Sequence, residues 1–195
     1  MLSNNGRAYD FQRSAILSLI LIAGLFLSGC GIQSVPQAKN ELESKLAETT
    51  NEYKRRADLI PNLVETVKGY AKHEKSVFEE VTKARTAIMD AKGVKDTAHA
   101  DNMFEGALKS LFAVAEAYPD LKANENYKQL QEELVDTEDK IQASRRFYNG
   151  AVRDLNTKIQ VFPTNIFAGM LGFSAREFFE VEDRKSIEEP VQVKL

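Results

Sequence analysis

Beyond residue 37 apolar residues recur at alternating steps of three and four. Ile60, Leu63, Val67, Tyr70, Glu74, Val77, Val81, Ala84 and Ile88 form one such seam, a heptad pattern of the kind that packs helices side by side. Upstream, residues 37–57 predict a helix with a thinner stripe of Ala38, Leu42, Leu46 and Tyr53. Between the two, Asp58-Leu59-Ile60-Pro61 predicts a helix start or a kink, because Asp caps a helix and Pro is tolerated in its first turn. The pattern fades near Lys92-Gly93. Asp96 then predicts the cap of a helix carrying Phe104, Leu108, Leu111, Ala115 and Tyr118, stopped by Pro119. A last long helix is expected from about Leu121 to Phe162. Its seam runs Tyr127, Leu130, Leu134, Thr137, Ile141, Ser144, Tyr148, Val152, Leu155, Ile159 and Phe162, with one stutter-like step between Tyr148 and Val152. Only the terminal PVQVKL alternates as a half-buried strand would, and it can also be read as a disordered tail. The expected fold is all-α: an elongated antiparallel helix bundle over residues 37–180, with four helices, or three long ones with a kink at Pro61. An extended tail over 181–195 follows.

After Pro163 comes a compact apolar cluster of Ile166, Phe167, Met170, Leu171 and Phe173. It has two readings. It closes the end of the bundle, or it stands exposed as an interaction or membrane patch.

The first thirty residues follow a different pattern. Arg7 and Arg13 precede an apolar run, Ala15 to Leu27, of 13 residues. A spanning helix needs roughly 20 such residues, whereas the core of a signal peptide needs about 7 to 15. The run ends in Leu27-Ser28-Gly29-Cys30, which resembles the lipobox of bacterial lipoproteins. That resemblance implies removal of residues 1–29 as a signal peptide and a lipid on Cys30, with residues 30–36 as a short linker to the bundle. Two or three acyl chains anchor a protein stably without a spanning helix, because each buried methylene contributes about 0.8 kcal/mol. An uncleaved, single-pass anchor is the alternative. Gly31 follows the cysteine where an inner-membrane retention signal would place Asp.

Composition narrows the function classes. The chain has 195 residues, a net charge of −3 and one cysteine, so no internal disulfide can form. Removing residues 1–29 takes away two basic residues and one acidic residue, which leaves the mature charge at −4. Mild acidity argues against a nucleic-acid partner, since phosphate binding needs concentrated basic surface.

Three stretches closely resemble the LemA family. The first is Arg55-Arg56-Ala57-Asp58-Leu59-Ile60-Pro61-Asn62-Leu63-Val64, continued by Thr66-Val67-Lys68-Gly69-Tyr70-Ala71 and His73-Glu74. The second is Thr137-Glu138, Ile141, Arg145, Tyr148-Asn149, Val152 and Asn156. The third is Phe162-Pro163, Ala168 and Gly172-Phe173. Together they cover roughly residues 50–180. The resemblance implies a membrane-anchored helical bundle in the cell envelope, outside the cytoplasm, working beside membrane proteases or other envelope proteins. It implies no defined reaction. Many LemA-like proteins keep a spanning helix where this chain has a lipobox.

Candidate chemistry is sparse. His73 and His99 fall on different predicted helices, and His73-Glu74 lacks the second histidine of a His-Glu-x-x-His zinc motif, so no metal or cofactor is expected. No nucleophile motif or Gly-rich phosphate loop is evident, and no enzyme activity is expected. What remains is polar residues on core seams. Glu74, Thr137 and Ser144 stand where apolar residues belong, with Arg55 and Arg145 nearby. A buried carboxylate is costly unless paired, so Glu74 is expected to meet Arg145 or Arg55. The result would be a register-fixing polar layer, or a small-ligand or lipid pocket around Glu74. The leading expectation is a non-catalytic scaffold or interaction lipoprotein.

Overall fold

The computed structural model describes residues 13–19 and 33–179. Cys30, the lipobox, most of the linker, the 181–195 tail and its PVQVKL segment lie outside the described residues. Described residues before the domain form one short helix, α1 (residues 13–19). The domain contains α2 (Ser34–Lys68), α3 (Lys75–Asp90), α4 (Val94–Glu116), α5 (Pro119–Ala123), α6 (Glu125–Gln160) and α7 (Thr164–Met170). No strand occurs among the described residues, and the fold is the expected all-α bundle. No helix among them is long and apolar enough to cross a membrane.

The chain divides into two compact units. One comprises Met1–Leu42 and Ala151–Arg176, the other Glu43–Gly150 and Glu177–Leu195. In the first, Val35, Ala38 and Leu42 from α2 are buried, as are Val152 and Leu155 from α6 and Ala168 from α7. Helix α2 therefore begins at Ser34, inside the expected linker. Val35 is fully buried, and that burial extends the helix back beyond residue 37.

In the second unit, α2 and α6 run antiparallel. Going up α2 from Lys45 through Tyr53 and Arg56, and on to Tyr70 just past its end, the α6-side partners descend from Phe147 through Arg145 and Glu138 to Asn124. Asn124 caps α6, its Oδ1 accepting the Tyr127 N–H at 3.0 Å. Helices α3 and α4 join through Gly93, whose φ of +89° suits glycine and strains any other residue. Gly93, not Asp96, occupies the cap position of α4, and Asp96 lies in its first turn.

No hairpin forms at Pro61, because helix α2 continues through it as one element, as in the alternative of long helices with the proline inside. Proline lacks the N–H that would bond the carbonyl four residues back, which leaves the Ala57 carbonyl without a helical partner. Arg85 of α3 supplies the missing donor, its Nε meeting that carbonyl at 2.9 Å. A mid-helix proline is thus compensated by a neighbouring helix. Arg85→Met should destabilise the domain by about 1–2 kcal/mol by orphaning the carbonyl. In a Pro61→Ala background, where the helix supplies its own N–H, the cost should fall well below that. Urea unfolding of the four proteins measures the coupling, and equal costs in both backgrounds would refute it.

The expected seam across Tyr70 and Glu74 breaks. Helix α2 ends at Lys68, and residues 69–74 turn the chain back, with the Tyr70 and Ala71 N–H groups both bonding the Val67 carbonyl. Tyr70 is consequently exposed rather than in the core.

Candidate functional site

The polar centre of the second unit lies among α2, α4 and α6. Tyr53 and Arg56 share the inner face of α2, Asp101 that of α4, and Glu138 and Arg145 come from α6. Asp101 is 2% exposed and Arg56 3% exposed. Arg56 donates to both Asp101 and Glu138. The Arg145 Nη2 donates to the other Asp101 oxygen at 2.7 Å, and the Tyr53 hydroxyl donates to that same oxygen at 3.1 Å. Two guanidinium groups thus meet two carboxylates, and the centre is neutral overall.

Aromatic rings enclose it. The Arg56 guanidinium lies 4.7 Å from the Phe104 ring centroid, and that of Arg145 lies 5.5 Å from Phe179. Such contacts stabilise a cation that has lost its water. Phe179 also meets Tyr148 edge to face at 5.1 Å. Asn149 holds Phe179 in place with both halves of its amide, bonding the Phe179 carbonyl at 3.0 Å and its N–H at 2.9 Å. Burial pushes the Tyr53 phenol above its ordinary value of 10.0, and the charge of Asp101 pushes it further in the same direction.

A groove of about 430 Å³ opens beside this centre, between α4 and α6. Leu108, Phe112, Leu134 and Val135 give it apolar walls, Glu105, Lys109, Asp139 and Gln142 edge it, and Arg56 and Glu138 reach it from the polar centre. Among the described residues no three His, Cys, Asp or Glu side chains gather to hold a metal ion.

Of the expected polar layer only Arg145 stands in this centre. Glu74 is half-buried at the N-cap of α3, between helices, and not in the core. Arg55 is exposed, and Arg56 takes the buried position. Arg145 is paired, but with Asp101 in place of Glu74. Thr137 and Ser144 are buried as expected, yet each hydroxyl bonds its own helix, to the carbonyls of Leu134 and Ile141 at 2.9 Å, so neither joins the charged centre. Glu74 therefore contributes no carboxylate to the buried polar centre. In the terminal cluster Ile166, Met170 and Leu171 are exposed, while Phe167 and Phe173 are half-buried.

The model of the LemA family matches residues 45–195. The chain belongs to the LemA family. Magnetosome protein MamQ 2 of Paramagnetospirillum magneticum is 30% identical over 65% of this chain and 56% of its own length. Magnetosome protein MamQ of Magnetospirillum gryphiswaldense is 28% identical over 64% of this chain and 56% of its own. Protein LemA of Metamycoplasma hominis is 27% identical over 77% of this chain and 69% of its own. The chain thus spans little more than half the length of the magnetosome relatives. The LemA-like stretches of the sequence fall on the polar centre through Arg56, Glu138 and Arg145. They also fall on the Ala57 carbonyl facing Arg85, and on the two asparagines that clamp extended backbone, Asn149 on Phe179 and Asn156 on Arg176.

Proposed function

We propose that this LemA family protein is a non-catalytic interaction module, held at a cell-envelope membrane by lipid on Cys30, with its helical domain outside the cytoplasm and other envelope or membrane proteins as partners. The division of polarity in the second unit supports this reading. The charges of buried Arg56 and Asp101 and of half-buried Glu138 and Arg145 are engaged with one another, which suits a centre that fixes helix register. The apolar side chains of Leu108, Phe112, Leu134 and Val135 line an open groove, the kind of surface on which a partner is recognised. The 13-residue apolar run and Leu27-Ser28-Gly29-Cys30 support the anchor.

The anchor is tested by growing cells with an alkyne fatty acid and sequencing the N-terminal peptide of the recovered protein by mass spectrometry. The expected peptide begins at acylated Cys30, and Cys30→Ala loses the label. A mature protein that retains residues upstream of Cys30 without acylation would establish the single-pass alternative instead.

A further inference from the structure

Helix α7 is seated the wrong way round for a soluble helix. Its small residue Ala168 is fully buried, whereas Ile166 is 52% and Met170 79% exposed. On either side Phe162 is 74% and Leu171 57% exposed. The arrangement is well specified. Gly172, at φ +70°, ends the helix, and the Phe173 N–H bonds the Ala168 carbonyl at 3.0 Å while the Gly172 N–H bonds Gly169 at 3.3 Å, the two bonds of a Schellman cap. The large side chains therefore project from a capped helix. In a chain with 28% charged residues, no Asp, Glu, Lys or Arg occurs from Ile159 to Ala175, and the stretch is bounded by Lys158, itself paired with Asp154, and by exposed Arg176.

This patch belongs to the same compact unit as the start of α2. Three residues lie between Cys30 and Ser34, four Cα steps with a reach of at most about 14 Å. A lipid on Cys30 would hold this unit, and not merely the chain, at the membrane surface. We infer that the α7 face, Phe162, Ile166, Met170 and Leu171, inserts into the interfacial layer of the bilayer that carries the anchor, with Arg176 at the anionic headgroups. The inference rests on the anchor reading above. An interfacial helix with apolar residues inward and basic residues at its edge is the arrangement that lies in a headgroup layer. It adds a second point of attachment to the lipid, so this unit is docked on the membrane in one orientation.

Cys30 is the chain's one cysteine and its thiol is consumed by lipid, so Met170→Cys or Glu79→Cys gives a single labelling site on the mature full chain. Each is labelled with an environment-sensitive fluorophore and reconstituted into vesicles of phosphatidylethanolamine with a minority of phosphatidylglycerol, with and without nitroxide-bearing lipids. Flotation of the vesicles reads the anchor separately. The expected result is that both proteins float. The probe at position 170 shifts to the blue and is quenched several-fold more by nitroxide lipid than the probe at 79. Proteins that fail to float overturn the anchor and this inference with it. Proteins that float with the position-170 probe in water overturn this inference alone. A probe at 170 that is apolar yet unquenched, with crosslinks between copies, assigns the face to a second copy of the chain and also overturns it.

Discussion

Asp101→Asn should be the most damaging single-atom change in the domain. The substitution preserves shape and removes one negative charge, leaving Arg145 without its carboxylate and Arg56 with Glu138 alone. Removing one partner of a fully buried ion pair costs about 3–5 kcal/mol, and the partial exposure of Arg145 sets the loss here toward the lower end of that range. In a chain of this size that corresponds to a fall of roughly 10 °C in Tm. Two further proteins identify the cause. Asp96→Asn, on the exposed first turn of the same helix, should shift stability by no more than about 0.5 kcal/mol. Asp101→Asn combined with Arg145→Met should recover part of the loss, because the unpaired cation is gone. A Tm for Asp101→Asn equal to that of Asp96→Asn would show that the centre carries no buried charge.

Alkaline pH should destabilise the domain through Tyr53. Its phenol holds its proton above the ordinary 10.0 because the ring is buried, and secondarily because Asp101 is close by. The folded protein therefore keeps a proton that the unfolded chain releases above about pH 10. Stability contributed by this group is complete below that pH and declines as pH rises toward the folded value, by up to about 1.4 kcal/mol per pH unit. Tyr53→Phe has no such proton. At neutral pH it should be the weaker protein by about 1 kcal/mol, from the lost hydrogen bond to Asp101. Above about pH 10 its stability should fall less steeply than that of the unsubstituted protein, so the two curves converge. Tyr127 is also held above its ordinary value, by burial and then by Glu116, but it is present in both proteins and cancels. Urea unfolding across neutral to alkaline pH measures the difference, and parallel curves would contradict the assignment.

Much of this arrangement was legible from spacing alone. The long α6 seam holds from Tyr127 to Leu155, with Tyr127, Leu134, Thr137, Ile141, Ser144, Tyr148, Val152 and Leu155 buried and Leu130 half-buried, but beyond it Ile159 is only half-buried and Phe162, past the end of the helix, is exposed. Arg56 could have been selected over Arg55, since it stands three residues after Tyr53 and four before Ile60 on the seam itself. Adjacent residues on a helix point about 100° apart, so a shift of one exchanges core for solvent. Asp101 was equally within reach, three residues before Phe104 on the stripe of α4. The heptad period places Glu74 in the core only if the helix continues through residues 69–74, where the chain instead turns. A period describes a helix only while the helix lasts, and here it ends at Lys68 without a proline to mark the break. Continuity of α2 through Pro61 stayed one of two alternatives in the sequence, because the guanidinium that meets the Ala57 carbonyl comes from 28 residues further along the chain. The terminal cluster was visible as apolar, but burial of Ala168, and with it the outward aim of Ile166 and Met170, depends on how α7 seats in three dimensions.

The central claim, that the domain acts by recognising a partner at the membrane, is tested most directly in intact cells. Photoreactive residues placed at Lys109 and Val135 on the α4–α6 groove, and at Glu79 on α3, are crosslinked and identified by mass spectrometry. The account predicts that both groove positions capture the same discrete envelope protein and that Glu79 does not. Crosslinks only to lipid or to the chain itself, or the same proteins captured at all three positions, would contradict it.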